Sequence, residues 1–387
     1  MNQLLGLGNY FRGDRHIWWI VLALSLLSIL AVYSSTGTLA YKYQEGNTEY
    51  YLIKHGSILI FGIMLMVMAH MLNYTVYSRL SKFAIVIAVP LLILTLARGT
   101  NLNEASRWLT LPIVNLSFQT SDFAKLALIL FVARALSRNQ DNIRDFKRGF
   151  LPVMLPVVLT CGLILPANFS TAAVLFTTCV TLMIIGRVKI RFIMVMVSSG
   201  ILVLAVFIGI SKLVGYDGRI STWQNRIENF MSDDSDGSYQ SQQAKIAIAS
   251  GQLIGKGPGN SSQRNFLPHP YSDFIYAIII EEYGLAGGAF VVILYLLLFY
   301  RAIYIAHRTP RAFANFLAIG CAFSLCFQAM INMAVAVNLF PVTGQPLPML
   351  SMGGTSIWFT SIAIGIILSV SRDIDKSDNV KPVHAAA

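Results

Sequence analysis

Apolar residues in this chain gather in long runs separated by short polar segments. Ten stretches, 17–35, 53–71, 83–97, 122–137, 151–165, 171–186, 192–214, 274–300, 313–337 and 356–370, are dominated by apolar side chains over 15 to 27 residues. These lengths bracket the ~20 residues that carry a helix across a hydrocarbon core of ~30 Å. The pattern predicts ten transmembrane helices. Between the fifth and sixth stretches lies only Pro166-Ala167-Asn168-Phe169-Ser170, which fits a tight hairpin or a bend in one long segment. Charge arbitrates, because Lys and Arg beside spans favour the cytoplasmic side. With the N-terminus inside, eighteen of the twenty-nine basic residues fall on that side: Arg12, Arg15, Arg79, Lys82, those of 134–148, 187–191 and 301–311, and those of the tail. Merging the fifth and sixth stretches would set the clusters at 134–148 and 187–191 on opposite faces. The hairpin is therefore expected, with both termini cytoplasmic.

Composition narrows the class. Of the 387 residues, 55% are hydrophobic and 12% charged, against about 25% charged in soluble domains. The net charge of +11 is scattered between apolar runs, which disfavours nucleic-acid binding and disorder. Cys161, Cys179, Cys321 and Cys326 lie inside apolar runs without metal-type spacing and read as small core residues. The first run follows Arg12, Arg15 and His16, is of spanning length and lacks a small-residue cleavage site, so it is expected to stay in the membrane. The expected fold is an all-α polytopic membrane protein, residues 1–387 forming one domain. It has a large extracytoplasmic loop at 215–272, between spans seven and eight, and a cytoplasmic tail at 372–387. Residues 98–121 and a Pro-rich turn at 339–350 also face outside, and loops are where a scaffold places chemistry.

Ionisable side chains in or at the edge of spans are costly and default to functional readings. Asp122, Lys125, Asp273, Glu281 and Glu282 stand out. Asp122 and Lys125, three apart, can pair on one helical turn. Alternatively Thr120 or Ser121 caps the helix, Asp122 suits its positive end and Lys125 reaches outward. Asp273 follows Leu267-Pro268-His269-Pro270-Tyr271-Ser272, an extended approach to a helix, and fits either a capping role or a functional carboxylate. Glu281, eight residues on, faces roughly the same side, so the two could line a cleft, while Glu282 points nearly opposite and suits a structural pair. Gly255-Lys256-Gly257-Pro258-Gly259 weakly resembles a phosphate-cradling loop, although no strand precedes it; a flexible turn is the alternative. Arg219, Arg226, Lys245, Lys256 and Arg264 on the long loop, with Arg107 on another, would suit an anionic ligand outside. The Gly/Pro cluster 338–354 should line a cavity if it dips to membrane depth, and is otherwise a surface connection.

Several strings occur in a fixed order: Ala105-Ser106-Arg107-Trp108; Gln119-Thr120-Ser121-Asp122 with Lys125; Ala247-Ile248-Ala249-Ser250-Gly251 to Gly259 and Gln263; Leu267-Pro268 with Asp273-Phe274-Ile275 and Glu281-Glu282-Tyr283-Gly284; and Pro341-Val342-Thr343-Gly344 to Ser351-Met352-Gly353-Gly354. Together they resemble the SEDS family (shape, elongation, division and sporulation), the FtsW and RodA type of peptidoglycan glycosyltransferase, across nearly the whole chain. Gly13-Asp14-Arg15 resembles the start of the FtsW branch. The resemblance implies a cytoplasmic (inner) membrane enzyme that polymerises lipid II on the outer face during cell division, with the elongation-type polymerase as the alternative. It implies Asp273 as the family's essential aspartate, and a class B penicillin-binding protein transpeptidase and other divisome membrane proteins as partners. Three positions depart from the family pattern: Asn168 stands for the usual Asp, Asp122 for the usual Glu before the lysine, and Tyr271 for the usual His.

On this reading Asp273 accepts the proton of the acceptor's 4-hydroxyl. Arg107 and Lys125, with a divalent cation (Mg or Mn) as a candidate addition, offset charge on the departing diphosphate. Asp122, Lys256 and Glu281 complete the expected substrate-binding set. A transporter (flippase) of the lipid-linked precursor is the rival from another class, because many spans and intramembrane charges suit it too. A scaffold that merely recruits other wall enzymes is the third reading.

Overall fold

The computed structural model describes residues 12–98, 100–102, 105–111, 116–214, 226, 230 and 239–380. Its helices are α1 (Arg15–Ser35), α2 (Gly37–Tyr43), α3 (Thr48–Met71), α4 (Tyr74–Arg98), α5 (Thr120–Arg138), α6 (Leu151–Ile164), α7 (Phe169–Ile185), α8 (Ile190–Val214), α9 (Tyr239–Gly251), α10 (Ile275–Arg308), α11 (Ala312–Ala336) and α12 (Thr355–Val380). Each of the ten apolar stretches lies on its own long helix. In an apolar solvent an unpaired backbone amide costs several kcal/mol, and a helix satisfies its amides within one segment. Seven segments are long and apolar enough to cross a membrane: α1, α3, α4 to Ala97, Phe146–Ile164, α10, α11 and Thr355–Ile374. The chain is a multi-pass membrane protein. Helix α7 has 17 apolar-rich residues, and the 19 of α5 include Asp122, Lys125, Arg134 and Arg138.

The fifth and sixth stretches are two helices packed against each other, α6 and α7. Asn168 caps α7, its Oδ1 accepting from the Thr171 amide at 3.3 Å. The sequence expectation departs from the structure in four places. The chain is not all-α: β1 (Thr100–Leu102), β2 (Ala105–Leu111) and β3 (Leu116–Gln119) form an antiparallel sheet in the order β1-β2-β3. The strands are three to seven residues long, too short for periodicity to mark them inside a polar connection. Helix α4 begins at Tyr74 and so takes in Arg79 and Lys82. Helix α10 runs past residue 300 to Arg308, where Arg301 meets Asp14; the same carboxylate caps α1 by accepting from the His16 and Ile17 amides at 2.9 and 3.3 Å. Helix α12 continues to Val380, into the segment expected to be a tail.

Packing depends on small residues, as it must where lipid and side chains are equally apolar and close backbone approach supplies the attraction. Helices α3 and α12 meet at Gly62, which faces Ser361 and Ile357, and at Gly365, where a Cβ would overlap the Met66 carbonyl. Gly320 on α11 sits against Ile129 and Leu182, and α11 touches α5, α7, α10 and α12. Helix α11 is therefore the centre of the bundle.

Helix α10 is broken. Gly284 has φ 71° and ψ −175°, a conformation open essentially to glycine alone. The break frees the carbonyls of Glu281 and Glu282, which accept from the amides of Lys256 and Gly257 at 2.9 and 3.0 Å. On its other side the amides of Leu285 and Ala286 donate to the Gln252 and Leu253 carbonyls at 2.8 and 3.3 Å. The segment after α9 thus replaces the missing helical hydrogen bonds and fixes the connection before α10 to the bundle.

Candidate functional site

Asp273 lies in a turn just before α10. The amides of Ser272 and Asp273 donate to the His269 carbonyl at 3.1 and 3.2 Å, and Phe274 is the cap of α10, with no side-chain capping bond. The capping reading of Asp273 is thereby set aside. Its carboxylate accepts from Ser272 Oγ at 3.0 Å, and the side chain is neither buried nor fully exposed.

The turn is held by the Gly/Pro segment 341–354. Met352 N donates to the Tyr271 carbonyl at 2.9 Å, and Ser351 Oγ to the Ser272 carbonyl at 2.5 Å. Between Gln345 and Ser351 every residue but Pro346 is buried. Tyr295 donates to the Pro348 carbonyl and Ser28 Oγ to the Leu350 carbonyl, the latter at 2.9 Å. The segment is packed into the bundle and is not a surface connection. Non-helical backbone is tolerated there because side chains of the surrounding helices satisfy it.

Two further groups converge on this place. Gly344, at φ 62°, passes close enough that a Cβ there would lie 3.6 Å from Asp273 Oδ2. Arg226 Nη1 donates to the Val342 carbonyl at 3.1 Å. Burial lowers the Arg226 pKa, and the neighbouring Asp273 carboxylate pulls it back up. Burial raises the Tyr271 pKa, with Tyr51 and then Asp273 adding to the shift. A carboxylate, a guanidinium and a glycine-lined backbone thus meet at the end of the bundle where α7, α10 and α12 begin. Asn168 accepts from its own helix and, at 3.5 Å, from Gln345 Nε2, which also donates to Thr171 Oγ1 at 2.6 Å. An amide oxygen does here the accepting an aspartate would do.

Asp122 and Lys125 do pair, at 2.8 Å, on the first turns of α5, and Lys125 does not reach outward. Lys125 Nζ also donates to Gln328 Oε1 at 3.1 Å. The pair lines a cavity of about 30 Å³ with Ser324, Gln328, Ser356 and Thr360, room for a water or two. Asp122 Oδ2 is buried there without a hydrogen-bond partner among the described residues.

Glu281 and Lys256 belong to a different place. Glu281 is fully buried and binds Lys256 Nζ at 2.6 Å, Ser262 N and Oγ at 3.1 and 2.9 Å, Gln263 N at 3.2 Å, and the hydroxyls of Ser250 and Ser261 at 3.3 and 2.5 Å. The shared cleft of Asp273 and Glu281 is not formed, because the helix does not extend back to Asp273 and the Glu281 carboxylate is used up by the loop. The 255–259 segment is no phosphate cradle either, since the amides of Lys256 and Gly257 go to α10. Glu282, buried, accepts from Ser34 Oγ, whose carbonyl accepts from Arg264 Nη1 at 3.0 Å, as its expected structural role requires. Arg107 stands on β2, next to the register shift between Thr100 and Asn101, but its side chain lies outside the described residues, as does Arg219. Among the described residues no group of three His, Cys, Asp or Glu converges to hold a metal ion.

Arg226, Gln328, Asn332, Gln345 and Ser351 are site residues that a search restricted to intramembrane charges passes over. The amides Gln328 and Asn332 were findable, as polar residues inside the apolar run 313–337.

A bundle of spanning helices with a buried non-helical segment clamping one acidic turn defines a multi-pass membrane protein with a built site at one end. A family model described as Cell cycle protein (FTSW_RODA_SPOVE) matches residues 14–376, and the chain belongs to that family. It is 34% identical over 367 residues to Stage V sporulation protein E of Bacillus subtilis, covering 91% of this chain and 95% of that protein. It is 31% identical to the "Probable peptidoglycan glycosyltransferase FtsW" of Haemophilus influenzae over 367 residues, 93% and 90% of the two chains. Among solved structures, a chain described under "Structural coordination of polymerization and crosslinking by a peptidoglycan synthase complex" superposes with a TM-score of 0.72 at 24% identity, over 94% of this chain and 99% of its own. The rod shape determining protein RodA of Thermus thermophilus gives 0.68 at 23% identity, over 94% and 98%. These two share the fold.

Proposed function

We propose that this chain is a peptidoglycan glycosyltransferase that polymerises lipid II into glycan strands on the outer face of the cytoplasmic membrane during cell division. The names of its FtsW relatives support the activity. The observation that carries it here is Asp273: a carboxylate left accessible in a turn pinned by Ser351 and Met352, with Arg226 beside it.

In this reading Asp273 takes the proton of the acceptor sugar's 4-hydroxyl as that oxygen bonds to the donor's anomeric carbon, and the bond from that carbon to the diphosphate breaks. The leaving diphosphate is already stable as an anion, so no acid is needed to protonate it and one carboxylate suffices. Attack opposite an α-linked diphosphate gives a β-1,4 bond with inversion. Arg226, Arg107 and Lys125 supply counter-charge. Asp122 holds Lys125, while Lys256 and Glu281 serve the substrate only indirectly, by fixing the loop above the site. A divalent cation, Mg or Mn, would come with the diphosphate, since such ions are often held by substrate phosphates and one or two carboxylates.

Ten spans, a cytoplasmic N-terminus and C-terminus, and extracytoplasmic 215–272 complete the reading, supported by the basic bias of the opposite loops. A class B penicillin-binding protein is the proposed partner, consistent with a structural relative described in a complex that coordinates polymerization and crosslinking, with other divisome proteins beside it.

The test is polymerisation of purified lipid II with and without partner and divalent cation. Asp273→Asn and Asp273→Ala should lower the rate by 100-fold or more while the protein stays folded; undiminished synthesis rejects the assignment. A precursor transporter instead predicts vesicle translocation that survives Asp273→Ala, and a scaffold predicts full cell function in the same variant.

A further inference from the structure

Helix α11 carries two amide side chains one turn apart on one face, Gln328 and Asn332, only 3% and 1% exposed. Buried amides in a spanning helix are costly unless their groups are used, so what they hold is informative. Asn332 Nδ2 donates to two carbonyls far apart in sequence, Asp273 at 2.9 Å and Gln345 at 2.7 Å. Gln328 Nε2 donates to the Pro346 carbonyl at 2.8 Å, and its Oε1 accepts from Lys125 Nζ at 3.1 Å.

One helical turn therefore connects four parts: the Asp273 peptide, the buried segment at Gln345 and Pro346, Lys125, and through it Asp122. Ser351 and Met352, which also hold the Asp273 turn, both belong to that same buried segment. Asn332 alone among these partners belongs to a regular helix at the centre of the bundle. It fixes the turn and the segment to a common rigid reference.

We propose that Asn332 and Gln328 are positioning residues: Asn332 sets the place of Asp273, and Gln328 sets Lys125 at a fixed distance from it, so that proton acceptor and counter-charge keep one geometry while substrate binds. This rests on Asp273 being the base. The competing role is interhelical glue, since polar residues in membrane bundles also hold helices together.

The two are separated by kinetics on purified protein polymerising lipid II. Asn332→Leu removes the donor at similar volume, and Asn332→Asp keeps the shape while replacing an amide that serves two carbonyls with a carboxyl that, protonated, can serve only one. Positioning predicts that both lose on the order of 100-fold in kcat, with KM for lipid II changed less than about threefold. It also predicts that Asn332→Leu adds no further loss in an Asp273→Asn background, because the two act as a unit. Gln328→Glu, which keeps an acceptor for Lys125, should retain more kcat than Gln328→Leu. Melting temperature in detergent and lipid II binding are followed in parallel. Asn332→Asp, melting as the wild type does, with unchanged kcat, or an additive loss in the double variant, overturns the proposal. If Asp273→Asn itself polymerises normally, the reading of the base fails first, and that result is distinct from either.

Discussion

Arg226 shows how a residue of no special standing in the sequence becomes part of a site. It is one of several cations on a long polar loop, and nothing in its neighbours separates it from Lys245, which is exposed. Only folding brings its guanidinium to the Val342 carbonyl and within electrostatic reach of Asp273. If it supplies charge to the departing diphosphate, Arg226→Ala should lower kcat about 100-fold. Arg226→Lys should fall in between, keeping the charge but not the planar fork. Initial rates of lipid II polymerisation check this; equal activity in all three proteins would remove Arg226 from the site. The apolar pattern singled out Asp273 only as one of five ionisable residues in or at the edge of spans, and the family resemblance picked it from among them. Its carboxylate environment was not legible, since it comes from segments 226, 341–344 and 351–352.

At the scale of elements, hydropathy located the long helices because each must satisfy its own backbone in lipid, which ties structure to local sequence. It missed the sheet between α4 and α5, where three short strands depend on one another, as in Trp108 opposite Gln119. It also missed the break in α10, which depends on backbone bonds supplied by 252–257. Gly284 is the residue on which that break turns. A Cβ there would overlap the Leu253 carbonyl, and its φ of 71° is already unfavourable for any other residue. Gly284→Ala should destabilise the protein by at least about 3 kcal/mol and release the loop. A lower melting temperature in detergent and faster proteolysis within 252–267 would show it; wild-type resistance would not fit this docking. The same dependence explains why Glu281 and Lys256, read as ligand residues, are loop anchors: their pairing exists only because the loop returns to α10.

At the scale of the molecule, the orientation proposed from the charge bias of the loops makes a direct prediction. In whole cells Gln44→Cys and Gly259→Cys should react with a membrane-impermeant thiol reagent, while Asp141→Cys and Thr309→Cys should react only after permeabilisation. The four native cysteines are buried and free, so background labelling should be low. Labelling of residue 141 from outside would invert the bundle and remove the active-site reading with it.

The sequence by itself determined where helices lie, which class of protein they build, which way the basic loops bias it, and which acid to suspect. Those properties follow from local composition, because a bilayer forces each spanning segment to be apolar and self-satisfied. The tertiary structure alone decided that Asp273 is no helix cap, that residues 345–351 are packed inside, that Glu281 holds a loop, and that Asn332 ties the acidic turn to the central helix. The last three depend on hydrogen bonds or ion pairs between segments many residues apart. Such a bond becomes visible only when the chain has closed on itself.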